Sequence, residues 1–265
     1  MRSDCHVHTR GKENAADVLA QMDKIGLDRT VLLGPHRGGN TAKALQEGNE
    51  WLAKLVAADR DRLIGFMYID PRVPGAGDVI RHGAQELKLR GVKMLPDHWF
   101  PYDEMMNPVY EATQEMKLPI LFHSGILWGN GDSSRFCRPA GFEYLIHFPK
   151  IRFALTHIGW PWTDECIAVC NRLVHAARGK KQKSQMLIDL TVGTPPVYRP
   201  DAVRKAIACC GVEHLIFGSD CGAGNIEQVD FHVKRDEKLL AELEVSPADI
   251  DRIMGSNLDL LLTPA

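Results

Sequence analysis

Asp4-Cys5-His6-Val7-His8-Thr9 forms the first apolar run of the chain. Side chains on a strand alternate faces with a period of two, so His6 and His8 are expected to project the same way and to grip one metal ion from a single strand. Two imidazoles do not complete a site, and the remaining ligands must come from other strand ends. Leu121-Phe122-His123-Ser124-Gly125, Leu155-Thr156-His157-Ile158-Gly159 and Phe217-Gly218-Ser219-Asp220 each end an apolar run in a metal-competent or proton-transferring side chain.

Outward from this stretch, seven more short apolar runs read as strands, near residues 30–33, 63–69, 91–95, 119–123, 152–157, 186–190 and 214–217. Helical signals fill the intervals. Asn14 can cap a helix whose apolar positions Val18, Leu19, Met22 and Ile25 keep a 3.6 period and which Gly26 ends. Others are expected at 41–58 and 78–89, from an Asn107 cap with Pro108 at the first helical position, at 140–148, from Thr163 to about 177, from Pro200 to Gly211, and from Ser246-Pro247. Eight strands alternating with about eight helices predict a parallel sheet, and the number eight favours a single-domain (β/α)8 TIM barrel over an open doubly wound sheet. His8, Lys93, His123, His157 and Asp220 would stand at the C-terminal ends of strands one, four, five, six and eight. Barrel active sites lie at that end. An open sheet would spread these residues along a line, whereas closure brings them around one point.

With 45% hydrophobic and 25% charged residues, the 265-residue chain has the composition of an ordinary globular protein. A formal charge of −2 argues against nucleic acid as a partner, and no apolar run approaches the roughly 20 residues of a membrane helix. Residues 1–4 lead straight into the first strand without a signal-peptide pattern, so a cytoplasmic location is the expectation. Seven cysteines, an odd number without CxxC or disulfide-framework spacing, are read as reduced core residues.

The string Asp4-Cys5-His6-Val7-His8, Gly91-Val92-Lys93, Pro108-Val109-Tyr110-Glu111, Leu121-Phe122-His123-Ser124-Gly125, Phe148-Pro149, His157-Ile158-Gly159-Trp160-Pro161-Trp162, Phe217-Gly218-Ser219-Asp220 and Ile253-x-Gly255-x-Asn257 resembles the amidohydrolase superfamily. It is most similar to the single-metal branch that contains lactone hydrolases and the aminocarboxymuconate-semialdehyde and resorcylate decarboxylases. The resemblance covers nearly the whole chain. It implies that His6, His8, His123 and Asp220 hold one divalent metal, zinc first and manganese as the alternative, with His157 as a nearby catalytic residue. Zinc lowers the pKa of a bound water to about 7. Asp220 would then take the water's proton while His157 polarises a carbonyl, and an amide or lactone would be hydrolysed. The alternative on the same site is a non-oxidative decarboxylase, in which the metal chelates a substrate carboxylate and Asp220 or His157 protonates the carbon that loses CO2.

Lys93 is the ambiguous member. Two-metal amidohydrolases carry a carbamylated lysine on strand four, and Lys93 with His157 could serve a second ion; one metal is the favoured count. In the single-metal branch a Gly-Val-Lys-Leu-His-Pro-like segment occurs here, but this chain reads Lys93-Met94-Leu95-Pro96, and whether His98 replaces the missing ring stays open. Lys93, His36, Arg37, Arg135 and Trp160 are the candidate substrate-binding residues, the arginines (Arg138 included) because a guanidinium pairs a carboxylate bidentately. Trp99, Phe100, Trp128, Trp160 and Trp162 are read as pocket walls, with core or subunit contacts as the alternative, so a homo-oligomer is compatible with them. His82, His147, His175, His214 and His232 are read as structural. The polymerase and histidinol phosphatase phosphoesterases and the TatD-type nucleases share His-x-His but want a strand-end glutamate where this chain has Lys93 or Met67. A barrel that binds metal without turnover is the remaining alternative.

Overall fold

The computed structural model describes residues 1–36, 41–129, 131–179 and 183–263. The strands β1 Ser3–His8, β2 Arg29–Leu33, β3 Leu63–Tyr68, β4 Gly91–Met94, β5 Ile120–Phe122, β6 Phe153–Leu155, β7 Met186–Asp189 and β8 Leu215–Ile216 pair in parallel with their neighbours in chain order. A short β9, Cys221–Gly222, pairs in parallel with Val7 and His8 of β1. Between β8 and β9 the chain runs against β1: the Cys5 N–H donates to Phe217 O at 3.0 Å and the Asp220 N–H to His6 O at 2.9 Å. The sheet thus closes on itself, and the fold is the expected (β/α)8 TIM barrel.

Alternation along the strands separates two apolar layers. Val31 and Leu33 of β2 and Ile64 and Phe66 of β3 fill the interior, while Leu32 and Met67 pack against the outer helices. β1 breaks this rule. Cys5 belongs to the interior and Val7, two residues on, to the outer layer, and the register with β2 shifts between Asp4 and Val7. Such a bulge reverses the alternation and re-aims a side chain, here placing His6 and His8 together on the inner side.

The outer layer is α1 Ala15–Ile25, α2 Ala42–Val56, α3 Ala76–Gln85, α4 Asn107–Glu115, α5 Thr163–Gly179, α6 Arg199–Cys210 and α7 Val229–Glu242. Asn14 caps α1 by accepting from the Ala16 and Asp17 N–H groups, and Gly26 closes it in the left-handed conformation. Two expectations are corrected. Asn107 is the first residue of α4 rather than its cap; a 3-10 turn at Glu104–Met106 feeds the helix, and the Asn107 side chain instead accepts from the Tyr144 hydroxyl. The helix expected at 140–148 is a 3-10 helix, Pro139–His147, whose buried residues Pro139, Phe142 and Leu145 recur every three positions. That period is the one a 3-10 turn, not an α-helix, lines up on one face.

α8 Pro247–Asp251, a π-turn at Arg252–Ser256 and α9 Leu258–Leu262 cover the pole where the strands begin. Leu258 and Leu261 enter the interior core, and the Asn257 amide donates to Val212 O and Leu215 O, both at 2.8 Å. No helix among the described residues is long and apolar enough to cross a membrane. All seven cysteines are free and all but Cys209 are buried.

Candidate metal centre

The C-terminal ends of β1 and β8 bring three donors together. His6 Nε2 lies 3.1 Å from His8 Nε2 and 3.4 Å from Asp220 Oδ1, and His8 Nε2 lies 3.0 Å from Asp220 Oδ1. Ligands about 2.0–2.1 Å from a tetrahedral zinc ion are separated by about 3.3 Å, so the three spacings suit one small divalent cation. A cation placed among the two ring nitrogens and the carboxylate oxygen would satisfy all three at once. The donor set therefore fits a metal ion.

Each neighbouring ring is oriented by a partner for its other nitrogen. His6 Nδ1–H donates to Asp189 Oδ2 at 2.8 Å, which leaves Nε2 as the lone-pair atom. His157 Nδ1 faces the Val192 carbonyl, and the His157 N–H donates to Thr191 Oγ1 at 3.0 Å. Thr191 in turn donates through both its N–H and its hydroxyl to Asp189, so the end of β7 holds His6 and His157 at once. Asp4 ties the other side: its Oδ1 accepts from the His6 and Ser219 N–H groups, fixing β1 against the residue before Asp220.

Burial favours the neutral form of the His6, His123 and His157 rings. Burial drives the His6 and His123 pKa well below the ordinary value and holds that of His157 at about 4. Burial also pushes Asp189 up to about 7 and Lys93 down to about 8, against the pull of Asp220 and Asp189 on the lysine. Asp220 stays below the usual carboxylate range: burial raises it, but the hydrogen bond from His8 and the surrounding positive potential outweigh that. Lys93 Nζ, buried, is 3.4 Å from His6 Nε2. His157 and Asp220 both have positive φ, 60° and 64°. Non-glycine residues seldom adopt this region, and such conformations cluster where chemistry demands a side-chain direction.

A cavity of about 470 Å³ opens over the cluster, with His8, His123, His157 and Asp220 as its ionisable groups and Leu95, Ile126, Trp128 and Trp160 among its walls. Several expectations are corrected here. His123 shares the cavity but is not one of the three close donors; its Nε2 meets the Ile126 carbonyl at 3.1 Å and its ring lies edge-on to His157. Arg135 lies away from the mouth, in a separate groove, with its guanidinium over Phe136 and 3.6 Å from Asp132. His36 is exposed and packs its edge on Tyr68. Arg37 lies outside the described residues. His98 does not stand in for the missing strand-four ring, since it turns to Asp97 and Phe136. Of the aromatics, Trp128 and Trp160 line the cavity. Trp99 is fully buried core, Phe100 stacks on Tyr102, and Trp162 lies under Arg138.

The amidohydrolase family profile matches residues 3–257, nearly the whole of this barrel and every residue of the cluster. The chain belongs to the amidohydrolase family. No curated protein matches the chain. Among solved structures, this amidohydrolase barrel is similar to 2,6-dihydroxybenzoate decarboxylase from Rhizobium, with TM-score 0.69, 14% identity and 98% of each chain covered. It is also similar to 5-carboxyvanillate decarboxylase from Novosphingobium aromaticivorans, solved with manganese and 3-methoxy-4-hydroxy-5-nitrobenzoic acid (TM-score 0.70, 14% identity, covering 99% of this chain and 97% of that one). A third is 4-oxalomesaconate hydratase from Rhodopseudomonas palustris (TM-score 0.64, 16% identity, 99% and 95% covered). At these identities the likeness establishes the fold.

Sequence reasoning passed over Asp189, Thr191 and Asp4. Asp189 had a readable signal: it is a carboxylate ending the apolar run Met186-Leu187-Ile188 at the strand the search for ligands skipped. Thr191 and Asp4 carry no such mark.

Proposed function

We propose that the chain is a metal-dependent enzyme whose His6, His8 and Asp220 hold one divalent ion, with His123 on the adjoining wall and His157 as the facing catalytic group. The whole chain acts as one domain in this reading. Three nitrogen and oxygen donors suit zinc; the manganese in the 5-carboxyvanillate decarboxylase structure supports that ion equally. The reaction we favour is the loss of CO2 from a small aromatic or muconate-type acid. The observation that carries this reading is the three-donor cluster beside the buried Lys93 cation, under a cavity walled by Trp128 and Trp160. Positive groups in the floor suit a carboxylate, and indole walls suit a flat ring. The solved decarboxylases of the same fold support the same choice.

A bound divalent ion supplies Lewis acidity to the substrate's carboxylate and its neighbouring oxygen. Trp160 and Trp128 orient the ring, and the Lys93 charge favours the anionic group in the floor. On loss of CO2 the electron pair of the broken bond stays on the ring carbon, which takes a proton that solvent supplies and that Asp220 or His157 Nε2 picks up and relays. His157 is suited to this exchange because its Nδ1 is committed to Val192 and its Nε2 is free. Hydrolysis of a lactone or amide is the second reading, favoured by the ionised Asp220 carboxylate, a ready base for water.

Metal analysis followed by a screen of hydroxybenzoates, carboxyvanillate-type acids, muconate-type acids and lactones tests both readings, scoring CO2 release against ring opening. Ring opening without CO2 rejects the lyase. His157→Asn is expected to keep its metal and lose turnover; loss of one ion per chain instead would favour two metals and a carbamylated Lys93.

A further inference from the structure

Two arginines are buried among the described residues, and they are treated oppositely. Arg199 is paired with Asp236 at 2.7 Å. The side chain of Arg152, a residue only 5% exposed, has no hydrogen bond or ion pair among the described residues, and its Nε is an orphaned buried donor. A buried donor without a partner costs free energy, so a group bound in the cavity that Arg152 lines is expected to meet it.

Arg152 lines a cavity of about 320 Å³ whose other charged members are Arg178, Lys183 and Arg252, against a single carboxylate, Glu213. His214 also faces it, with Nδ1 held on the Met186 carbonyl at 3.2 Å, and Arg252 is shared with Asp249 at 3.1 Å. Arg152 immediately precedes β6, Lys183 precedes β7 and His214 immediately precedes β8. The cavity is therefore at the pole where the strands begin, opposite the strand ends that carry the metal centre. In TIM barrels that pole serves stability rather than chemistry.

We infer that this cavity is a binding site for a small oxyanion of charge −2 or more, a phosphate group or a polycarboxylate, seated on the Arg152 guanidinium and ringed by Arg178, Lys183 and Arg252. A guanidinium presents a planar fork to two oxyanion oxygens, and the exposed cations at the rim draw the anion in. The apolar part of the lining, Val174 and Leu187, leaves room for the body of a small metabolite beyond the charged group.

Calorimetric titration with inorganic phosphate and with citrate, at matched ionic strength, tests this on the metal-loaded protein. The expected result is one saturable site per chain that the wild type shares with Asp220→Ala, over and above any anion held at the metal centre, and affinity at that site lower by at least about tenfold in Arg152→Met. Tighter binding of phosphate or of citrate identifies the group the site takes. Without anion, Arg152→Met should melt a few degrees higher than wild type, because the unpaired donor is gone. Binding that survives Arg152→Met, binding that vanishes in Asp220→Ala, or none up to ~10 mM overturns the inference. Should Arg152→Met not fold, the Arg178→Ala/Lys183→Ala double variant decides: about tenfold weaker binding supports the site and unchanged affinity rejects it.

Discussion

At the scale of single residues, the candidate metal centre is a set of tautomers fixed by their outward partners. Asp189 holds His6 with Nδ1 protonated and Nε2 free, and the Ile126 carbonyl does the converse for His123. Removing such a partner typically weakens metal affinity 10- to 100-fold, so Asp189→Asn should fold, and bind Mn²⁺ or Zn²⁺ more weakly by about that factor in a competition titration. Unchanged affinity would mean that the carboxylate does not orient the ring. His157 supports a second prediction. Its folded pKa of about 4 is below the ordinary 6.5, so on acidification the unfolded chain takes up this proton first and the native state loses stability from pH 6.5 downward. Measured by urea unfolding of the metal-free proteins between pH 7 and 4.5, wild type should lose about 2–3 kcal/mol relative to His157→Asn, and parallel curves would contradict the burial of that ring. Residue type marked His6, His8, His157 and Asp220 as candidates, since few side chains donate to metals or move protons. The direction of His123 was not legible, because a backbone carbonyl sets it and every residue has one.

At the scale of elements, strand alternation foretold that His6 and His8 share a face, and they do, but by way of a bulge that the pattern does not contain. The β8 loop shows how little room the site leaves. A Cβ on Gly218 would fall 2.5 Å from Asp189 Oδ1, 2.6 Å from Thr191 Cγ2 and 2.9 Å from His6 Cβ. Gly218→Ala should therefore cost about 1–3 kcal/mol and displace the Asp189–His6 pair, read as a lower melting temperature together with reduced metal content. A variant with wild-type metal content would show that the loop yields without disturbing the donors. Caps were legible where the side chain acts on its own helix, as at Asn14, and misread at Asn107, whose partner Tyr144 lies on another element. The segment expected as a helix at 140–148 is the 3-10 helix Pro139–His147, whose buried residues recur every three positions.

At the scale of the whole molecule, the Arg199–Asp236 pair joins the start of α6 to α7, and Arg199 also donates to the Leu190 and Thr191 carbonyls beside the residues that orient His6 and His157. Arg199→Ala should cost about 1–3 kcal/mol in urea unfolding, because it takes the donor from the buried Leu190 and Thr191 carbonyls, while Asp236 keeps the Arg235 guanidinium at 2.8 Å. An unchanged unfolding free energy would remove Arg199 from this role. The order of strands, the barrel and the chemical identity of the donors were determined by the sequence alone, because apolar periodicity and residue type are local properties. Which donors converge, which arginine finds a counter-ion and which one faces an open cavity were decided only by the tertiary structure. Those outcomes depend on distances between residues far apart in the chain, such as 6 and 189, 6 and 220, or 199 and 236, and only closure of the sheet sets them.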